Sequence, residues 1–137
     1  RNFERLPPAV QSRLTVENDD KASLYCRQEL YDGVYKRIGI PIVFDYHHHM
    51  LHPGHQSEQE ALELALSTWG NIKPVVHYAE SRAIEHNNPK IKPQAHSDLV
   101  YNTLNSYGNV FDIMIEAKHK ELALLKYRTN VRCLAAK

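Results

Sequence analysis

The amino-acid sequence predicts an α/β fold of parallel βα units, and three observations predict it. Four short β-branched runs, "RLTVEND", "PIVFD", "PVVHY" and "FDIMIEAK", each end on a side chain that can bind a metal. Continuous Val- and Ile-rich runs of that kind read as strands buried on both faces, the habit of parallel sheets. Helical periodicity separates the runs, and no Asn-Gly hairpin signal joins adjacent ones. The five glycines form no GxGxxG, which argues against a nucleotide-binding doubly wound sheet. Ligand-type residues at the C-terminal ends of four successive strands favour a (β/α)8 barrel, whose sites lie at that rim. Four units are half of eight. Residues 1–137 therefore read as one domain, the C-terminal half of a TIM barrel (strands five to eight), with the N-terminal half absent. Arg1, where a Met would open a complete chain, fits a numbering that starts inside a longer protein.

The elements follow in order. "NFERLPPAV" is a helix-like lead-in, and strand 13–17 ends at Glu17. A helix over 22–37 carries Leu24, Leu30, Val34 and Ile38 on roughly one face, with Gly39 closing it. Strand 41–45 ends at Asp45 and runs into "FDYHHHMLHP". A helix over 57–69 opens on the capping-box pattern Ser57-x-x-Glu60 and repeats apolar residues at Leu62, Ala65, Leu66 and Trp69. Strand 73–77 reaches His77. The stretch "ESRAIEHNNPKIKPQAHSD" has no clear period and reads as a long loop, with a short helix following Ser97. Loops of that length carry function or disorder. Strand 111–116 ends at Glu116, and a last helix covers 118–128.

Composition bounds the rest. With 42% hydrophobic and 24% charged residues the chain is an ordinary soluble globular protein. No apolar run approaches the roughly 20 residues of a membrane span. Cys26 and Cys133 fit no disulfide framework or zinc spacing and read as reduced thiols, which places the protein in the cytoplasm, or in the nucleus of a eukaryote. A formal charge of +1 neither demands nor excludes nucleic acid, although bound divalent ions would make the local field strongly positive.

On parallel neighbours, Glu17, Asp45, His77 and Glu116 point into one mouth. His48 reaches it from the loop above Asp45, and His96 in "QAHSD" closes it from the long loop. Carboxylates mixed with imidazoles suit Mn²⁺ and Zn²⁺, and shared carboxylates bridge ions roughly 3.5–4 Å apart. Such a cluster activates water and stabilises a leaving oxygen in phosphodiester cleavage. Taken singly, a strand-end carboxylate is more often a helix cap or ion-pair partner, and a lone histidine a satisfied core residue. Four strands out of four ending this way is what favours a metal site. In an extended chain His47 and His49 point away from His48, and at least one of them has a supporting role or none. His52, His55, His86 and His119 read as surface or loop residues. Asn18 and Asp19 orient Glu17 or cap the next helix. Lys118 and Lys120 face DNA phosphates or form a solvated first helical turn, two readings of equal weight.

"LTVENDD", "PIVFDYHHHMLHP", "KPVVHYAESR", "AHSDLV" and "DIMIEAKHKELAL" resemble, in order and spacing, successive motifs of the UV-damage endonucleases. The likeness runs from Leu14 to Leu125. It implies a TIM-barrel, metal-dependent DNA repair enzyme that nicks UV-damaged double-stranded DNA immediately 5′ of a photoproduct and leaves a 3′-hydroxyl. It also implies up to three divalent ions, manganese with or without zinc, and places Glu17, Asp45, His48, His77, His96 and Glu116 on metal-ligand positions, with Glu17, Asp45, His77 and Glu116 as the catalytic set. Further ligands and the lesion-probing residues that the resemblance implies lie on earlier strands, so the N-terminal half of the same barrel is the partner needed for completeness. A modified lysine found in some members corresponds to Val75, and Lys73 lies one pleat deeper. The alternatives are another xylose-isomerase-like barrel, either an abasic-site endonuclease or a sugar isomerase, and a non-catalytic metal-binding remnant.

Overall fold

The computed structural model describes residues 2–21 and 23–135. Its strands are β1 (Val16–Glu17), β2 (Ile42–Asp45), β3 (Val75–Tyr78) and β4 (Asp112–Ile115), hydrogen-bonded in that order. Every pairing is parallel, with Val16 beside Ile42, Asp45 beside His77 and Val76 beside Ile113. The α-helices are α1 (Pro8–Gln11), α2 (Arg27–Leu30), α3 (Lys36–Ile38), α4 (Tyr46–Leu51), α5 (Glu58–Leu66), α6 (Arg82–Glu85) and α7 (Glu121–Ala135). The fold is α/β, four consecutive parallel βα units, half of the eight that close a TIM barrel.

Strand alternation sorts the two faces of the sheet. Ile42, Phe44 and Val76 face the helices and pack with Leu30 of α2 and Ala61, Leu62 and Ala65 of α5. A second cluster joins Ala123 and Tyr127 of α7 to Ile113 and Ile115 of β4. Glu17, Asp45 and His77 lie on the other face, where a barrel keeps its interior.

Side chains finish the hydrogen bonding of β2 where backbone pairing stops. At one end Thr68 Oγ1 accepts from Ile42 N–H (2.8 Å) and Trp69 Nε1 donates to Ile42 C=O (2.7 Å). At the other, beyond the two residues of β1, the Asn18 amide accepts from Asp45 N–H (2.9 Å) and donates to Asp45 C=O (3.1 Å). A side-chain amide thus replaces a missing rung, and the buried peptide groups on both ends are satisfied.

Several expected boundaries move, each for a local reason. The first strand shortens because Arg13 and Leu14 are turned back on Val10 and Gln11. The helix expected over 22–37 begins at Arg27, capped by Cys26, whose N–H donates to Glu29 (2.8 Å); Ala22 lies outside the described residues, and Leu24 is exposed. A wider π-turn over Tyr31–Tyr35 joins α2 to α3, and Gly39 ends α3 in the left-handed conformation (φ 70°). The capping box of Ser57 and Glu60 forms as expected, and its helix tightens to a 3-10 turn at Ser67–Trp69. "YHHHML" is helical rather than extended, because Asp45 Oδ1 caps it by accepting from His48 N–H (2.7 Å). The helix in the long loop is α6, and none follows Ser97, because carboxylates take the N–H groups of Asp98, Leu99, Tyr101 and Asn102. The last helix starts at Glu121, three residues later than expected, since Lys120 adopts φ 46° and breaks the turn before it. The Cys133 side chain lies outside the described residues.

Candidate metal centre

In a parallel sheet all C-terminal strand ends open on one side, so the rim collects whatever those ends carry. Glu17 and Asp45 close β1 and β2, His77 is the third residue of β3, and Glu116 directly follows β4. His48 arrives from the first turn of α4, not from a loop, and His96 from the long loop, where it bridges Ser81. The six side chains meet. His48 Nδ1 lies 3.1 Å from Glu17 Oε1 and 3.9 Å from Asp45 Oδ2. His77 Nδ1 lies 3.2 Å from Glu17 Oε2 and 3.6 Å from Glu116 Oε1. His96 Nδ1 lies 3.7 Å from Glu116 Oε2.

Two groups of potential ligand atoms, Glu17–Asp45–His48 and Asp45–His77–Glu116, each fall within 4.8 Å, sharing Asp45. Asp45 Oδ2 and His77 Nδ1 are buried without a hydrogen-bond partner. A buried carboxylate oxygen with nothing to bind is costly, and a cation is one cure. The donor set of carboxylates and imidazoles therefore fits a divalent ion.

The electrostatics of the bare site follow from this crowding. Burial works against the Glu17 anion, but His48 and His77 outweigh it and hold its carboxyl well below the usual range. Burial lifts Asp45 to about 7, against the pull of the His48 N–H and charge. The Glu17 carboxylate raises His48 to about 9 and raises His77 as well, whereas burial lowers His96. Without ions, protons hold the anions together.

Asn18 positions more than it caps. It is buried, ties Asp45 to β1, and its carbonyl meets His48 Nδ1 at 2.9 Å, so that nitrogen carries a proton. Asn18 thus orients Asp45 and His48 rather than Glu17, while Asp19 caps a turn by accepting from Lys21 N–H. His47 and His49 are both buried, and His47 sets its ring edge-on to His96 at 5.7 Å. His49 is driven down to about 4 by burial and by Arg27. Arg27 is wholly buried and donates to the carbonyls of His52 and Pro53, securing the end of α4. His52 is half-buried, whereas His55, His86 and His119 are exposed.

Lys118 and Lys120 are exposed beside Glu116 and His96, in a turn rather than in a helix. Lys73 pairs with Asp112 at the opposite end of the sheet and cannot take the place of a lysine at Val75. Glu85, His86 and Asp98 form another close group, but Glu85 is occupied by two backbone N–H groups and Asp98 by His86 and Arg82.

The model of one protein family, described as UV-endonuclease UvdE, matches residues 1–135. The chain belongs to that family. A UV DNA damage endonuclease of Bacillus cereus strain Q1 is 34% identical over 136 residues, covering 92% of this chain and 40% of the relative. The Bacillus anthracis enzyme of the same name is 33% identical over 136 residues. A solved UvdE structure, the crystal structure of SacUVDE, superimposes with a TM-score of 0.78 at 30% identity, covering 98% of this chain and 44% of that one. The chain thus spans about 40% of the length of the curated relatives it matches.

Proposed function

We propose that the chain is the C-terminal half of the catalytic barrel of a metal-dependent UV-damage endonuclease, which nicks double-stranded DNA on the 5′ side of a photoproduct in the cytoplasm, or in the nucleus of a eukaryote. The observation that carries this reading is the convergence of Glu17, Asp45, His48, His77, His96 and Glu116 at one rim, with a buried, unpartnered oxygen on Asp45. These six residues are the proposed ligands of manganese, with or without zinc. When bound, such ions supply an activated water and neutralise charge developing on the phosphodiester. Glu17, Asp45 and Glu116 carry the negative charge that attracts the ions. Asn18 and Arg27 hold the β2–α4 corner in place. Lys118 and Lys120, exposed beside Glu116, are the proposed contacts to the DNA backbone.

Among the described residues β1 and β4 each pair on one side only. Met114, Val110 and Leu124 are exposed near the β4 edge. Open edges and apolar patches recruit partners. The four earlier strands of the same barrel are the proposed occupant, and the 137-residue chain alone should self-associate and leave irradiated DNA intact.

The test joins this chain to the N-terminal portion of the Bacillus cereus relative and assays plasmid nicking with Mn²⁺. The expected result is nicking of irradiated plasmid only, lost in Glu116→Gln. Equal cutting of unirradiated or abasic DNA, or turnover of a sugar without DNA cleavage, would favour the other barrel enzymes.

A further inference from the structure

His96 is the one member of the six that stands on neither a strand nor a helix, nor directly after one. Its only ion-pair contact within the cluster is Glu116, at 3.7 Å. Something else must fix it, and the hydrogen bonds of the loop identify what. Glu85 Oε2 accepts from Asp98 N–H (2.6 Å) and Oε1 from Leu99 N–H (3.0 Å). Glu80 Oε1 accepts from Tyr101 N–H (3.1 Å) and Asn102 N–H (2.7 Å). Two carboxylates therefore grip successive pairs of backbone amides just beyond His96.

The backbone completes a strap. Ser97 N–H donates to Glu80 C=O (2.8 Å) and Arg82 N–H to Ala95 C=O (2.8 Å), tying the loop to the segment that follows His77. Lys118 N–H donates to Ser97 C=O (2.9 Å) and His119 N–H to Asp98 C=O (3.0 Å), tying it to the segment that follows Glu116. His96 is thereby slung between the ends of β3 and β4.

We propose that Glu85 is a positioning residue that sets His96 for ion binding, an inference that rests on the metal-centre reading above. Of the two carboxylate grips, that of Glu85 is the nearer to His96, two residues away, and a charged acceptor for two N–H groups is about twice as strong as a neutral one. Glutamine at this position has the same size but turns an NH2 group towards one of the two donors. One amide then loses its acceptor and the loop next to His96 loosens.

The test compares wild type, Glu85→Gln, His96→Ala and the double variant in the barrel joined to the N-terminal portion of the Bacillus cereus relative. Hydrogen exchange on metal-free protein should be about tenfold faster at Asp98 and Leu99 in Glu85→Gln. Mn²⁺ affinity should fall about 10–100-fold. In the double variant, Glu85→Gln should add nothing to the loss caused by His96→Ala. Unchanged exchange overturns the inference whether or not ions bind. Unchanged Mn²⁺ affinity, or losses that add in the double variant, reduces Glu85 to a general stabiliser and also overturns it. A wild-type joined barrel that takes up no Mn²⁺ overturns the metal-centre reading. Glu85 is then judged on the His96 ring ¹⁵N resonances of metal-free protein, which support positioning if Glu85→Gln moves them and overturn it if they stay. Should Glu85→Gln not fold, unprotected Asp98 and Leu99 amides in wild type overturn the clamp.

Discussion

Replacing Asn18 with leucine removes the side-chain rung that joins β1 to the end of β2 while keeping the branched shape and the number of heavy atoms. Asp45 is wholly buried, so its N–H and C=O find no water in exchange for the lost amide. Each unsatisfied backbone group costs about 1–3 kcal/mol, which gives about 2–6 kcal/mol for the pair. Against a total stability of roughly 5–15 kcal/mol, the upper end removes about 40% of the largest value and unfolds a chain at the lowest. The lower end lowers the melting temperature by roughly 8 °C, at about 4 °C per kcal/mol for a domain of this size. Urea and thermal unfolding of the metal-free chain, followed by circular dichroism, read the change directly. An Asn18→Leu chain within about 0.5 kcal/mol of wild type would mean that neither hydrogen bond forms in solution, and the account of how Asp45 is held would fall.

Trp69→Phe keeps an aromatic ring but leaves Ile42 C=O without its donor, so urea unfolding should register a loss of about 1–3 kcal/mol. Glu116→Gln keeps shape and removes one anion, so Mn²⁺ titration should show weaker uptake and the joined barrel should stop nicking; nicking at the parent rate would make Glu116 a structural carboxylate. Stability of the metal-free chain should fall as pH rises from about 6.5 to about 9, where the gain from deprotonating buried His49 is already complete. Asp45 and His48 are both raised on folding, to about 7 and about 9, so each contributes in its protonated form. The Asp45 contribution is complete below its unfolded value of 3.8 and lost through about 7; that of His48 is complete below 6.5 and lost through about 9. Mn²⁺ affinity should climb over the same range as the ligands shed protons, and a melting temperature flat in pH would contradict both values.

The strands were legible because β-branched runs and the carboxylates and histidine that end them are local signals, and the rim followed from parallel order alone. Ser57 and Glu60 announced their helix for the same reason. The histidine run was misread because its helix is signalled only by Asp45, a residue already claimed by the site, and "YHHHML" has no apolar period of its own. Once helical, each residue turns about 100°, which carries His47 and His49 into the interior on either side of His48. Asn18 bonds to a residue 27 positions away, and Glu85 to amides 13 and 14 positions away, contacts that no local window contains. The loop after α6 therefore looked structureless although most of its hydrogen bonds near His96 are made. Lys118 and Lys120 leave the last helix because of a left-handed residue that the sequence does not mark with glycine or asparagine.

The central claim is that the six rim residues form an ion site, and calorimetric titration of the joined barrel with Mn²⁺ tests it most directly. The account predicts uptake of at least one ion per chain, weakened strongly by Glu17→Gln and by His77→Ala and unaffected by Glu63→Gln on the exposed face of α5. A folded barrel that takes up neither Mn²⁺ nor Zn²⁺, or one whose uptake ignores Glu17 and His77, would contradict it.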